Sequence, residues 1–307
     1  MELCIQTGGL LRHWGEEISC EMIRDAGFKY VDWNFTSAWN KDKVRSGLLE
    51  RDIFECSQEE IHAHFQKTLD TLRVNGLEPI QAHAPFPPYV PGAPEFVDRA
   101  IEIYKNCIRY CDSVGVKYLV IHGISLELTD YTQSPESIHR LNHHLYESLI
   151  PVLCETEVIV CLENLFTRQG KQIIEGTCSV ADEAIAYIDR FNALAGKECF
   201  GLCLDTGHLN LLGKNQAAYI RALGKRIKAL HVHDNNGVDD EHRAPYTGTI
   251  IWKDVIGALK EVGYEGVFNF ETFGQVAPKR GIDLEVVPIW LRTICDIGLV
   301  FKKWMEV

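Results

Sequence analysis

The sequence holds no apolar run long enough to span a bilayer. It has no C-x-x-C pair, no G-x-G-x-x-G turn, and no linker rich in Pro, Gly or Ser. Basic residues are in the minority: 31 Lys and Arg stand against 43 Asp and Glu, a net charge of −12. Each absence excludes something. A chain that crosses a bilayer by an apolar helix is excluded, and so is a Cys-rich structural zinc site. The missing phosphate turn argues against a doubly wound dinucleotide-binding sheet, and the acidic balance argues against a protein held to nucleic acid by phosphate neutralisation. The start, Met1 to Leu10, carries Glu2 where a signal peptide would be basic, so no signal peptide is expected. Eleven Cys is an odd count, which reads as free buried thiols in a reducing, cytoplasmic setting.

What is present is an alternation along 307 residues of 46% hydrophobic content. Short β-rich runs are Leu3 to Gln6, Phe28 to Trp33, Glu78 to His83, Val116 to His122, Val158 to Glu163, Phe200 to Asp205, Ile227 to His233 and Val267 to Glu271. Stretches with helical apolar spacing lie between them. Ser57 to Glu60 opens one with a capping-box pattern, and Asn75-Gly76 closes it. Others run from Glu95 to Val114 (with Gly115 as the stop), from near Pro135, from Val180 to Phe191, Gln216 to Leu223, Trp252 to Val262, and Leu284 to Trp304. Eight strands, each followed by helix, predict an α/β fold, a closed (β/α)8 TIM barrel, as one domain over residues 1–307. The segment Thr36 to Cys56 reads as a loop over the barrel mouth, or as an irregular extension of the second β/α unit.

Six successive strands end in a group that can bind a metal: His83, His122, Glu163, Asp205, His233 and Glu271. In such a barrel the C-terminal strand ends carry the chemistry. His208 lies just past the sixth strand, and Asp240 and His242 follow the seventh. Imidazoles and carboxylates without thiolates suit Zn, Mn, Co, Fe or Mg. The competing arrangement is a buried polar network, which would have to neutralise several carboxylates without a cation, an electrostatically expensive solution. Alternation places Gln81, Val120, Cys161, Cys203, His231 and Asn269 inside the barrel, two residues before each candidate ligand. Ala82, Ile121, Leu162, Leu204, Val232 and Phe270 then face the helices. Gln81, His231 and Asn269 are expected either to orient the ligands or to bond one another in the core. His62, His64, His139, His143 and His144 read as solvated helix surface, while His13, Trp14, Trp33, Phe86 and Phe166 are candidates to line the pocket or to pack in core and loops.

These fragments together resemble the xylose-isomerase-like TIM-barrel superfamily, with its sugar-phosphate isomerases and epimerases, ketose 3-epimerases, inosose dehydratases and type-IV AP endonucleases. The carriers are His83-Ala84-Pro85, Val120-Ile121-His122-Gly123, Leu162-Glu163-Asn164, Leu204-Asp205-Thr206-Gly207-His208, His231-Val232-His233-Asp234-Asn235, Asp240-Glu241-His242 followed by Gly248-Thr249-Ile250, and Phe270-Glu271-Thr272. The resemblance implies an isomerase metal site of Glu163, Asp205, His233 and Glu271, with His208 on the substrate or on a further metal. In the endonuclease branch, His83 and His122 join Glu163 around a second metal, and His208, Asp240 and His242 hold a third. The ligand inventory does not separate the two. Three features lean toward sugar chemistry: the His233 to Gly237 segment, Leu165-Phe166-Thr167 after Asn164, and Gly123 directly after His122.

The expected function is a divalent-metal-dependent sugar or sugar-phosphate isomerase or epimerase, working by proton transfer through a metal-stabilised enediolate. Glu163 and Glu271 are the expected proton carriers, His208 a hydrogen-bond donor to a substrate oxygen, and Arg243 a group that reaches a hydroxyl or phosphate. One metal site is expected and up to three are accommodated. The alternatives are a dehydratase of a keto-polyol such as an inosose, a multi-zinc AP endonuclease, and a sugar-binding barrel without turnover. The expected partner is a small sugar or polyol, with membrane and nucleic acid disfavoured. Trp290 and Trp304 on the last helix pack on the barrel or on a second copy in a homo-oligomer.

Overall fold

The structure is a computed structural model that describes residues 1–35, 39–126, 133–277 and 281–306. Among the described residues, ten strands are found in chain order: β1 (Leu3–Gln6), β2 (Tyr30–Asn34), β3 (Glu78–His83), β4 (Tyr118–Ile121), β5 (Ile159–Glu163), β6 (Phe166–Gln169), β7 (Gln172–Glu175), β8 (Phe200–Asp205), β9 (Ile227–His231) and β10 (Phe268–Phe270). Eight of them form one parallel sheet in the order β10-β1-β2-β3-β4-β5-β8-β9. The ring closes just past β9, where Val232 pairs in parallel with Phe270. This is the α/β barrel expected from the alternation. The remaining pair, β6 and β7, is an antiparallel hairpin inserted after β5. It turns at Gly170-Lys171, with Gly170 at φ +60°. Among the described residues, no helix is long and apolar enough to cross a membrane.

Local signals set the element ends. Ser57 caps Gln58–Val74 with a reciprocal capping box through Glu60, and Gly115 ends Phe96–Val114 in the left-handed region. Ser134 and Pro135 start Pro135–Glu147. Leu284–Val286 forms a 3-10 turn that leads into Val287–Glu306.

Alternation along the strands sorts side chains into two layers. Ala82, Ile121, Leu162, Leu204, Val232 and Phe270 join the main core between sheet and helices. Val120, Cys161 and Cys203 form a small separate cluster inside the barrel with Ile159 and Ala229. All eleven cysteines are free thiols. Trp290 and Trp304 pack against the main core. Trp33, a candidate for the pocket, is instead buried on the helix side against Phe65 and Tyr110.

The segment from Trp39 to Cys56 contains a short helix, Lys41–Arg45, and a 3-10 turn, Ile53–Glu55; Thr36, Ser37 and Ala38 lie outside the described residues. Phe54 anchors this segment. It is fully buried, with ring centroids 5.1 Å from Phe35 and 5.5 Å from Phe65. Truncating such a ring removes its transfer energy and leaves a cavity. Phe54→Ala is therefore expected to lower stability by about 3–5 kcal/mol, measured as a shift in the urea midpoint with an unchanged slope.

Candidate metal and active site

The C-terminal strand ends deliver the polar residues to one end of the barrel. His83 ends β3, Glu163 ends β5, Asp205 ends β8 and His231 ends β9, while His122 and Glu271 directly follow β4 and β10. Glu163 and Glu271 line a cavity of about 860 Å³ together with His83, His122, His208 and Asp240. Arg12, Lys41 and Arg243, all exposed, line the same cavity nearer solvent, as do His13, Phe86 and Phe166. Asp205, His231 and His233 lie beneath it and are wholly buried.

Three groupings of donor atoms emerge. In the first, His122 Nε2 is 3.0 Å and His83 Nε2 3.8 Å from Glu163 Oε2, and the two imidazole nitrogens are 3.1 Å apart. In the second, the carboxylates converge on His231: its Nδ1 is 3.3 Å from Glu163 Oε1, 3.4 Å from Glu271 Oε2 and 3.9 Å from Asp205 Oδ2. Asp205 Oδ2 is also 3.0 Å from His233 Nε2. In the third, His242 Nε2 is 3.0 Å and His208 Nε2 3.9 Å from Asp240 Oδ2. His233 joins this third group, its ring stacked on that of His242 with centroids 3.9 Å apart.

The backbone around these groups is built for close approach. Asp205 caps the helix Thr206–Leu211, its Oδ1 accepting from the His208 N–H at 2.7 Å. Gly207 leaves room for His233, since a Cβ there would sit 1.9 Å from His233 Cε1. Asn164 clamps the ends of β5 and β8 by exchanging two bonds with the Asp205 backbone. Asp234 turns away from the site and accepts from the Trp252 indole and from the backbone of Tyr246 and Ile250. His242 adopts φ +48°, an uncommon conformation for a side chain of its size, and its ring is sandwiched between His233 and Phe273.

Burial and mutual charge set the protonation states. Burial opposes ionisation of Glu163, yet the facing His231 and His122 hold its carboxyl well below the usual carboxylate range. Glu271 is lowered against burial in the same way, by His231 and His242. Burial disfavours a charged His242, but Asp240 and Glu271 outweigh it and raise its pKa well above the ordinary imidazole value. His122 goes the other way: burial lowers its pKa, and Glu163 offsets this only in part.

The residues fit a divalent cation. Donor atoms of Asp205, His233 and Glu271 lie within 4.8 Å of one another, and so do those of Glu163, Asp205 and His231, of His83, His122 and Glu163, and of His208, His233, Asp240 and His242. His231 Nδ1 is buried without a hydrogen bond. Its spacing from Glu163 and Glu271 matches the edge of a tetrahedron of ligands around zinc, roughly 3.3–3.4 Å for bonds of about 2.0–2.1 Å.

The quartet expected from the sequence is thus divided: Asp205, His233 and Glu271 meet, while Glu163 meets Asp205 through His231. His231 faces the carboxylates directly. Gln81 and Asn269 spend their amide donors elsewhere than on the strand-end residues they were expected to orient. Barrel stagger brings both to Asp32 on β2, at 2.8 and 2.7 Å from its Oδ2. Asp32 was missed by sequence reasoning, and so was Gln6, whose amide donates to Glu271. For Asp32 the signal was present, because Val31 and Trp33 on either side are apolar and must face the helices. Arg243 pairs with Glu241 at the cavity wall. Among the histidines read as surface, His62 bonds Ser113, His143 bonds Glu147, and His139 and His144 are exposed.

Comparison with known proteins agrees with this fold. The protein y4fM of Sinorhizobium fredii, of uncharacterized function, is 25% identical over 89% of this chain and 87% of its own length. The D-psicose 3-epimerase of Enterocloster bolteae is 29% identical over 67% of this chain, and the match spans 63% of that enzyme. The crystal structure of a D-tagatose 3-epimerase-like protein superposes with a TM-score of 0.70 at 18% identity, covering 99% of both chains, a likeness of fold. Residues 20–293 match the family model of the xylose isomerase-like TIM barrel, and the chain belongs to that family.

Proposed function

We propose that the protein is a divalent-metal-dependent isomerase or epimerase of a sugar or polyol. One observation carries the reading: Glu163 and Glu271, from strands on either side of β8 and β9, both line the cavity and both reach toward the same buried nitrogen, at 3.3 and 3.4 Å. Two carboxylates so placed can flank one carbon of a bound substrate. The relative from Enterocloster bolteae, a D-psicose 3-epimerase, carries out chemistry of this class.

Glu163, Asp205 and Glu271 would hold the cation, with His231 and His233 as the imidazole donors. Bound there, a divalent cation supplies Lewis-acid polarisation of a carbonyl and a counter-charge for the carboxylates. The depressed pKa values of Glu163 and Glu271 keep both ionised at neutral pH, ready to accept a proton from the C–H beside the carbonyl. One carboxylate takes the C–H proton and the other, once protonated from solvent, returns a proton to carbon, which inverts or moves the stereocentre; the first then releases its proton to solvent. His122 fixes the rotamer of Glu163, and the Gln6 amide fixes that of Glu271. With Nδ1–H donating to the Asn164 carbonyl at 3.0 Å, His208 can donate from Nε2 to a substrate oxygen as the imidazolium, a state that burial opposes but Asp205, Asp240 and Glu163 favour on balance. Arg12 and Arg243 can reach hydroxyls or an anionic substituent at the open side of the cavity. Loss of a β-hydroxyl after the same proton removal would make the enzyme a dehydratase, distinguished by an unsaturated product.

A second reading has a specific observation behind it. The His83–His122–Glu163 and His208–His233–Asp240–His242 groups are compact enough for further cations, as a multi-zinc phosphodiesterase acting on abasic DNA would need. The net charge of −12 weighs against a DNA substrate.

Glu163→Gln is expected to lower turnover by about 10²–10⁴-fold while far-UV dichroism and the melting midpoint hold. Near-normal turnover across a panel of ketoses and inososes would remove Glu163 from proton transfer. In D2O, the wild-type protein is expected to place solvent deuterium in the recovered sugar. Elemental analysis separates the two main readings: one metal equivalent per chain is expected for the isomerase, and three would favour the phosphodiesterase.

A further inference from the structure

Beneath the candidate site lies a polar layer that the proposed proton transfer does not touch. Asp32 on β2, Gln81 on β3, His231 on β9 and Asn269 within β10 each turn one polar side chain into the barrel, and all four are wholly buried. They are not scattered. The Gln81 and Asn269 amides donate to Asp32 Oδ2 at 2.8 and 2.7 Å, and His231 Nε2 stands 3.3 Å from the same oxygen. Gln81 and Asn269 hold the carboxylate from two sides, so Oδ2 is fixed in place against the imidazole.

The other edge of that imidazole is where the chemistry lies. Neither ring nitrogen of His231 makes a hydrogen bond in the metal-free protein; Nδ1 is 3.3, 3.4 and 3.9 Å from oxygens of Glu163, Glu271 and Asp205, whereas Nε2 has Asp32 Oδ2 at 3.3 Å. A neutral imidazole carries its single proton on one nitrogen, and the partner of one nitrogen decides the state of the other. A carboxylate can only accept. Once a cation takes over the imidazolium's charge, Asp32 would keep the proton on Nε2 and leave the lone pair on Nδ1.

We propose that Asp32 is a positioning residue for the cation site, accepting the Nε2–H of His231 so that the Nδ1 lone pair is held among Glu163, Asp205 and Glu271. This rests on the reading that those residues hold a divalent cation. It assigns to a side chain outside the cavity the role of a carboxylate behind a ligating histidine. It also gives Gln81 and Asn269 a function as the two amides that aim Asp32. Asn at position 32 would keep the shape but could turn its NH2 toward Nε2, favouring the tautomer with Nδ1 protonated and useless as a donor.

The test uses zinc, the full chain and no substrate. In histidine-15N-labelled, zinc-loaded protein, with the resonance identified through His231→Gln, long-range proton–nitrogen spectra are expected to show Nε2 protonated and Nδ1 shifted by zinc. Asp32→Asn is expected to weaken zinc binding 10–100-fold in chelator competition, a change that loss of barrel stability alone would not produce in a variant with an unchanged melting midpoint. Wild-type zinc affinity in Asp32→Asn, or a proton on Nδ1 in the zinc-loaded wild type, overturns the proposal. The wild-type spectrum decides the matter even where the variant does not fold. His231 nitrogens indifferent to zinc would remove both the ligand role and this proposal. Zinc-responsive, Asp32-dependent His231 in a protein that turns over no sugar would remove only the isomerase reading.

Discussion

Four carboxylates, those of Asp32, Glu163, Asp205 and Glu271, are packed into one end of the barrel with at most 6% of their surface exposed. That crowding is the constraint on which the rest of the site depends. A carboxylate moved from water into protein loses several kcal/mol of solvation, and like charges at short range add to the deficit. The barrel answers with imidazoles. Each of the four has at least one imidazole nitrogen within 3.0–3.4 Å: His231 for Asp32, His122 for Glu163, His233 for Asp205, and both His231 and His242 for Glu271. Imidazoles are the one kind of side chain that can serve as counter-charge when protonated and as neutral donor when a cation arrives. The same residues therefore keep the fold tolerable without a metal and offer donors that could hold one.

Such density needs backbone that gives way. Gly207 admits His233 beneath the Thr206–Leu211 turn, and Gly274 lies so close to the Glu241 carbonyl that a Cβ would overlap it at 1.8 Å. Asp205 and Asp234, two carboxylates of similar burial, do different work for a geometric reason. Asp205 ends a strand and has one oxygen on a helix N-terminus and the other on His233, so it faces the site. Asp234 lies one residue past His233, on the opposite side of the chain, and spends both oxygens on backbone amides and an indole. Alternation along a strand decides which carboxylate faces the barrel mouth and which organises a loop.

Much of this could be read from the residues. Period-two alternation gave the eight barrel strands and the two layers of their side chains, because a buried parallel strand has one face for helices and one for the interior. Capping boxes at Ser57 and the stop at Gly115 marked helix ends, since these are local chemistry. The β6–β7 hairpin escaped notice. Its strands have four residues each and are largely solvent-facing, so no apolar period marks them. The partition of the site was also beyond reach. His231 and His233 point the same way along one strand, and a sequence cannot say which reaches the carboxylates, because that depends on strand tilt and stagger between neighbours. Asp32 is a different case. Its flanking Val31 and Trp33 dictated an inward side chain, and only attention to strand ends alone hid it.

The three donor groups are not separate sites placed side by side, because they share atoms and residues. Glu163 turns Oε1 toward His231 and Oε2 toward His122 and His83. Asp205 bridges to His233, which belongs with Asp240 and His242 as well. Glu271 reaches His231 and His242 with one oxygen. Filling any one group changes the charge felt by the others through a shared carboxylate, and burial leaves little solvent to screen it. The number of cations held is thus a property of the whole cluster. One barrel can carry the inventory of a one-metal isomerase and of a multi-metal hydrolase in the same residues. What separates the two is which shared carboxylates stay free to move a proton. Glu163 and Glu271 are the carboxylates placed both at the centre of the sharing and on the cavity wall, so on the proposed reading the choice between those chemistries would be made at these two side chains.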